Sequence, residues 1–123
     1  MFRSRILLVD DHELVRKGIA GLLENDWDIC GQAGDGLEAL EKVRDLNPDL
    51  VLLDLSMPLM SGTRAAREIH RIAPQTKIIF LSIHDSDSME ELSRLLKADA
   101  YLSKTSSPEQ LKRTIAAVLG YGA

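Results

Sequence analysis

Short apolar runs alternate along this chain with longer segments in which apolar residues recur at helical spacing, and that alternation predicts five strand–helix pairs. Ile6-Leu7-Leu8-Val9 and Leu50-Val51-Leu52-Leu53 are apolar at every position. Strands of that kind are covered on both faces and sit centrally in a parallel sheet. Trp27 to Ala33 predicts a weaker strand, Lys77 to Leu81 a fourth, and Ala100-Tyr101-Leu102 a short fifth. A first helix follows from Glu13, with Leu14, Val15, Gly18, Ile19, Leu22 and Leu23 expected on its inner face and Asn25-Asp26 ending it. Helices are also predicted over about 37–46, closed by Pro48, and over about 63–72, stopped by Ala73-Pro74. The fourth carries Met89, Leu92, Leu95 and Leu96. The last follows Ser107-Pro108, a cap and a first-turn proline, and turns Leu111, Ile115, Val118 and Leu119 inward.

Composition narrows the function classes. The 123 residues suit one domain, taken as 1–123, with one core and one active surface. A formal net charge of -4, with lysines and arginines scattered, gives no general attraction to nucleic acid or to anionic lipid. Any DNA binding therefore belongs to another domain. The lone Cys30 forms no internal disulfide and reads as an inert core residue. Because the N-terminal apolar run is too short for a signal peptide or a membrane span, the expected location is cytoplasmic.

Five strand–helix units joined by right-handed crossovers give an α/β, doubly wound (βα)5 fold. In its flavodoxin-like form the five-stranded parallel sheet has the order 2-1-3-4-5, and ligands sit beyond the carboxyl ends of the strands where that order reverses. The residues at those ends are Asp10 and Asp11 after the first strand, Asp54 after the third, Ser82 after the fourth and Lys104 after the fifth. Three carboxylates drawn into one crevice repel one another and call for a cation. Mg²⁺, a hard ion held by one or two carboxylates together with a phosphate, suits that set. His12 and His84, distant from any cysteine cluster, do not suggest zinc. A carboxylate beside a metal, a lysine and a hydroxyl is equipped for phosphoryl transfer to Asp54, with Lys104 and Ser82 meeting the phosphoryl oxygens. Each residue alone has a plainer reading, as a helix cap, a solvated lysine or a serine satisfying backbone groups. Their meeting at one end of one sheet favours the functional reading.

Four motifs carry a specific resemblance: Leu8-Val9-Asp10-Asp11-His12, Leu52-Leu53-Asp54-Leu55-Ser56-Met57-Pro58 through Gly62, Leu81-Ser82, and Tyr101-Leu102-Ser103-Lys104. From about Arg5 to Leu119 the sequence resembles the receiver domains of two-component response regulators. The resemblance implies that Asp54 is the phosphoacceptor, Asp11 a direct Mg²⁺ ligand, Asp10 a ligand through water, and the Ser56 carbonyl a further ligand. It implies also that Ser82 and Lys104 contact the phosphoryl group, that Ser82 and Tyr101 form the switch, and that Ser56 and His84 tune the lifetime of the acyl phosphate. The donor would be a sensor histidine kinase, and a homodimer on phosphorylation the expected response. Leu81-Ser82-Ile83-His84-Asp85 and Ala100 to Lys104 are most similar to the NarL/FixJ (LuxR-type) branch, whose members usually carry a C-terminal helix-turn-helix domain. Lys97 and Ala100 depart from it by standing where glycines are usual, and Thr105 stands where many receivers have a proline joined by a cis bond.

The chain ends at Ala123, so the expectation is the receiver of a transcriptional regulator separated from its output domain, with a free-standing phosphorelay receiver as the alternative. A haloacid-dehalogenase-type phosphatase would need an aspartate two residues after its nucleophile, where this chain has Ser56. A receiver that only binds partners would have lost the acidic pair, the acceptor or the lysine, and all are present.

Overall fold

The computed structural model describes residues 3–55, 57, 60–83 and 87–120, of which 87–90 by backbone only. Strands β1 (Arg5–Val9), β2 (Asp28–Ala33), β3 (Leu50–Asp54), β4 (Lys77–Ser82) and β5 (Ala100–Ser103) alternate with helices α1 (Glu13–Leu23), α2 (Gly36–Leu46), α3 (Gly62–Ile72), α4 (Asp87–Leu95) and α5 (Pro108–Leu119). All strand pairs are parallel and the order is β2-β1-β3-β4-β5, the doubly wound, flavodoxin-like arrangement expected from the sequence. Among the described residues no helix is long and apolar enough to cross a membrane.

The period of two along the strands divides the core. Leu7, Val9, Val51, Leu53, Ile78 and Phe80 point to the face covered by α2 and α3. Ile6, Leu8, Leu50, Leu52, Ile79 and Leu81 point to the other, where Leu23 of α1 and Leu111 and Ile115 of α5 meet them. Each central strand thus needs apolar residues at every position, which is why β1 and β3 read as unbroken runs. Caps set several helix starts. The side chains of Asp35, Ser61 and Ser107 accept from the N–H groups of Glu38, Arg64 and Gln110. Asn47, in the left-handed region at φ 49°, ends α2 one residue before the proline expected to close it.

Two expected helix faces need correction. On α1, Leu23 is buried and Ile19 and Ala20 pack partly against the sheet, whereas Leu14 is 84% exposed and Val15, Gly18 and Leu22 also face solvent. Apolar residues cover too wide an arc of this helix for one sheet contact, and the surplus forms an outer stripe. On α4, Leu92 and Leu96 pack inward while Leu95 faces solvent; the side chain of Met89 lies outside the described residues.

Of the two departures from glycine before β5, only one meets a backbone demand. Lys97 has φ 60°, in the left-handed region after α4, while Ala100 lies in β5 without a positive φ. A Cβ in that region costs about 1–2 kcal/mol, partly offset because glycine loses more entropy on folding. Lys97→Gly is expected to stabilise the protein by roughly 1 kcal/mol in urea unfolding, and Ala100→Gly to destabilise it.

Candidate functional site

The order of the strands brings the carboxyl ends of β1 and β3 side by side, with Leu53 opposite Val9. Asp10 follows β1 and Asp54 is the last residue of β3. Both are buried, at 3% and 4% exposure, which is unusual for carboxylates without partners. The partner they share is Lys104, whose ammonium lies 2.6 Å from Asp10 Oδ2 and 3.3 Å from Asp54 Oδ2. Its backbone N–H donates to the Ser82 carbonyl at 2.8 Å, so the end of β4 fixes the loop from which Lys104 reaches inward. Burial works against the lysine's charge, but hydrogen bonding to Asp10 and the attraction of Asp54 and Asp10 prevail and raise its pKa above the ordinary 10.5. The peptide bond between Lys104 and Thr105 is trans.

Asp11 stands at the rim. With Asp10 and His12 it offers ligand atoms that all lie within 4.8 Å of one another. The Asp10 side chain folds back to accept from the His12 backbone N–H at 2.9 Å, which turns its other oxygen towards Lys104. Behind it, Arg16 of α1 donates to the Asp10 carbonyl at 2.6 Å and to Gln32 Oε1 at 3.3 Å, while the Asp10 N–H donates to the Ala33 carbonyl. Arg16 was invisible as a site residue in the sequence, because an arginine within a helix reads as solvated until the fold puts the end of β1 beside it.

Ser82 is buried at the end of β4. Tyr101 lies opposite Phe80, half-buried, with its ring against the core cluster that includes Leu96 and Phe80. Ser56 and His84 lie outside the described residues. Gly62 shows why its motif needs a glycine: a Cβ there would come within 2.2 Å of the Asp54 carbonyl oxygen. Its N–H donates to the Leu55 carbonyl, so α3 begins hard against the backbone of the acceptor.

Two buried carboxylates share the Lys104 ammonium, with Asp11 at the rim, and oxygen donors at the open end of the crevice fit a hard divalent cation such as Mg²⁺. Asp54, buried beside the largely covered Lys104 ammonium, is placed to take up an electrophile whose negative charge that ammonium offsets.

The fold and this constellation define a receiver domain. The family model for the response regulator receiver domain matches residues 6–116, and the chain belongs to that family. It is 39% identical over 111 residues to the response regulator protein VraR of Staphylococcus aureus, a match covering 87% of this chain and 52% of that protein. VraR of Staphylococcus saprophyticus is 36% identical over 115 residues, covering 90% and 54%. The chain thus spans about half the length of the curated relatives it matches. Among solved structures it is similar to a LuxR-family two-component response regulator from Aurantimonas, with TM-score 0.91, 32% identity and coverage of 96% and 86%. The signal receiver domain of NarL from Mycobacterium tuberculosis gives TM-score 0.91 at 27% identity, covering 98% of each chain.

The shared ammonium makes a specific demand on stability. Lys104→Met removes the ammonium that pairs with both buried carboxylates and is expected to cost roughly 2–4 kcal/mol at neutral pH in urea unfolding. Added Mg²⁺ should restore more stability to this variant than it adds to the wild type. Because the folded pKa of Lys104 is raised, its contribution is fully present below the unfolded value near 10.5 and lost as pH rises through the higher folded value. In the wild type, loss of this contribution should therefore be confined to strongly alkaline solution.

Proposed function

We propose that this domain is a phosphorylation switch in which Asp54 accepts a phosphoryl group from a sensor histidine kinase, in the presence of Mg²⁺. The observation that carries the reading is Lys104, held between Asp10 and Asp54 at the point where the strand order reverses. An oxygen of Asp54 forms the new bond to phosphorus as the bond from phosphorus to the donor nitrogen breaks, and the electron pair leaves with the imidazole. The Lys104 ammonium is within reach to turn from the carboxylates to a phosphoryl oxygen, and the Ser82 hydroxyl donates to another. Asp11 would hold the metal directly and Asp10 through water, and the Ser56 carbonyl would add a further oxygen. Bound Mg²⁺ supplies neutralisation of the charge on the phosphoryl oxygens. Ser56 and His84 set the lifetime of the acyl phosphate, and Ser82 with Tyr101 passes its presence to the surface.

The output is a change of protein association, and the domain serves as the receiver of a transcriptional regulator. Its relatives of LuxR type favour that role over a free-standing relay receiver. The receiver itself does not contact DNA, in keeping with its net charge of -4. The outer stripe of α1, with Leu14, Val15 and Leu22 in solvent, favours homodimerisation through α1 and α5.

Incubation with acetyl phosphate and Mg²⁺, read by intact mass, should add one phosphoryl group to the wild type and none to Asp54→Ala. A labelled Asp54→Ala protein carrying an acyl phosphate on another carboxylate would overturn the acceptor assignment.

Beryllofluoride should tighten self-association in analytical ultracentrifugation. Leu14→Glu should still accept the phosphoryl group but weaken that association by about tenfold or more. Unchanged association in that variant would move the interface away from α1.

A further inference from the structure

The amino-terminal turn of a helix carries the positive end of its dipole and disfavours cations. Arg16 nevertheless stands in the first turn of α1, half-buried, with its backbone N–H donating to the His12 carbonyl at 3.0 Å. What holds its side chain lies outside the helix. The guanidinium turns back to the edge of the sheet, where Nη1 donates to the Asp10 carbonyl at 2.6 Å and Nε to Gln32 Oε1 at 3.3 Å. It also lies against the turn after β2, since a Cβ added at Gly34 would meet Nη1 at 3.5 Å. One side chain of α1 is thereby anchored near the carboxyl ends of the neighbouring strands β1 and β2.

The carbonyl that Arg16 grips belongs to the peptide joining Asp10 to Asp11. The register of β1 with both of its neighbours ends at Val9. Beyond it, the Asp10 N–H donates to the Ala33 carbonyl, Oδ1 accepts from the His12 N–H, and Oδ2 lies 2.6 Å from the Lys104 ammonium. Because a peptide is planar, the direction of its carbonyl fixes the direction in which Asp11 leaves the strand. Arginine suits that task better than lysine. Its planar fork meets two acceptors in set directions, whereas an ammonium on a flexible stem acts as a point charge.

We propose that Arg16 is a positioning residue for phosphoryl transfer to Asp54: anchored by Gln32, it fixes the Asp10–Asp11 peptide from behind and so sets how the acidic pair is presented at the crevice. The inference rests on the reading of Asp54 as acceptor with Mg²⁺ at that pair. Arg16 bonds to the backbone of Asp10 and acts through it. The plainer alternative is a staple that secures α1 to the sheet. Such a staple changes stability but leaves the response of the site to Mg²⁺ as it was.

The test compares the full chain with Arg16→Lys, Arg16→Gln, Gln32→Leu, and Arg16→Gln combined with Gln32→Leu. Phosphorylation by acetyl phosphate is followed across a range of Mg²⁺ concentrations, Mg²⁺ binding by calorimetry, and stability by urea unfolding. In Arg16→Gln, the Mg²⁺ concentration for half-maximal rate and the calorimetric Kd should both rise about tenfold, as when a group orienting a metal ligand is lost. Arg16→Lys, which keeps the charge but not the fork, should recover little of that effect. Gln32→Leu alone should raise both quantities about threefold and add nothing further to Arg16→Gln, because the two residues act as one unit. An Mg²⁺ response unchanged in both Arg16 variants, whatever happens to the urea midpoint, would leave only the staple and overturn the positioning role. Full recovery by Arg16→Lys would assign the effect to charge and overturn it too. A wild type that takes no phosphoryl group would overturn the acceptor reading itself, and this inference with it.

Discussion

Two buried carboxylates held by one ammonium impose the main constraint on this receiver. Asp10 and Asp54 stand at the ends of adjacent strands, and Lys104 offsets the repulsion between them. Holding that lysine in place requires the end of β4, through the Ser82 carbonyl, and the loop after β5 that delivers the side chain. Holding the aspartates requires β1 and β3 to lie in register. The site is thus built by four strands at once, so the order of the sheet and the chemistry at its edge are the same fact seen at two scales.

Asp10 and Asp54 share one ammonium, and Asp11 beside His12 adds a further carboxylate at the open side. The backbone bond between Lys104 and Ser82 joins the crevice to β5, where Tyr101 packs. A second connection runs the other way. Arg16 ties the Asp10 carbonyl to α1, the helix whose outer face exposes Leu14 and Leu22. The crevice is thus tied by hydrogen bonds to two elements that reach the surface, β5 and α1.

Local backbone chemistry supports the site where the sequence resists the family pattern. Lys97 takes a left-handed conformation that glycine would adopt without strain, and the turn into β5 keeps its shape regardless, with Asp99 Oδ2 accepting from the Ile78 N–H at 2.8 Å to fix the register. Thr105, following Lys104 by a trans bond, is held by its N–H donating to Ser103 Oγ at 3.1 Å. Gly62 does the reverse, since its lack of a side chain lets α3 start against the Asp54 carbonyl.

The sequence by itself determined the alternation of strands and helices, the two central strands, and the list of polar residues at strand ends. Those properties are local, because an all-apolar run buried on both faces and a charged residue closing it are read from consecutive positions. The resemblance then assigned roles to Asp10, Asp11, Asp54, Ser82, Lys104 and Tyr101. Tertiary structure alone decided which apolar residues of α1 face the sheet, because periodicity gives the spacing of a stripe but not which side of a wide stripe meets a partner. It decided also that Lys104 bridges Asp10 and Asp54, that Arg16 stands behind Asp10, and that the ring of His12 turns to Asp11. The contacts of Lys104 join residues far apart in the chain, and even the turns of Arg16 and His12 towards near neighbours depend on where the end of β1 is held. Such distances exist only once the strands have paired.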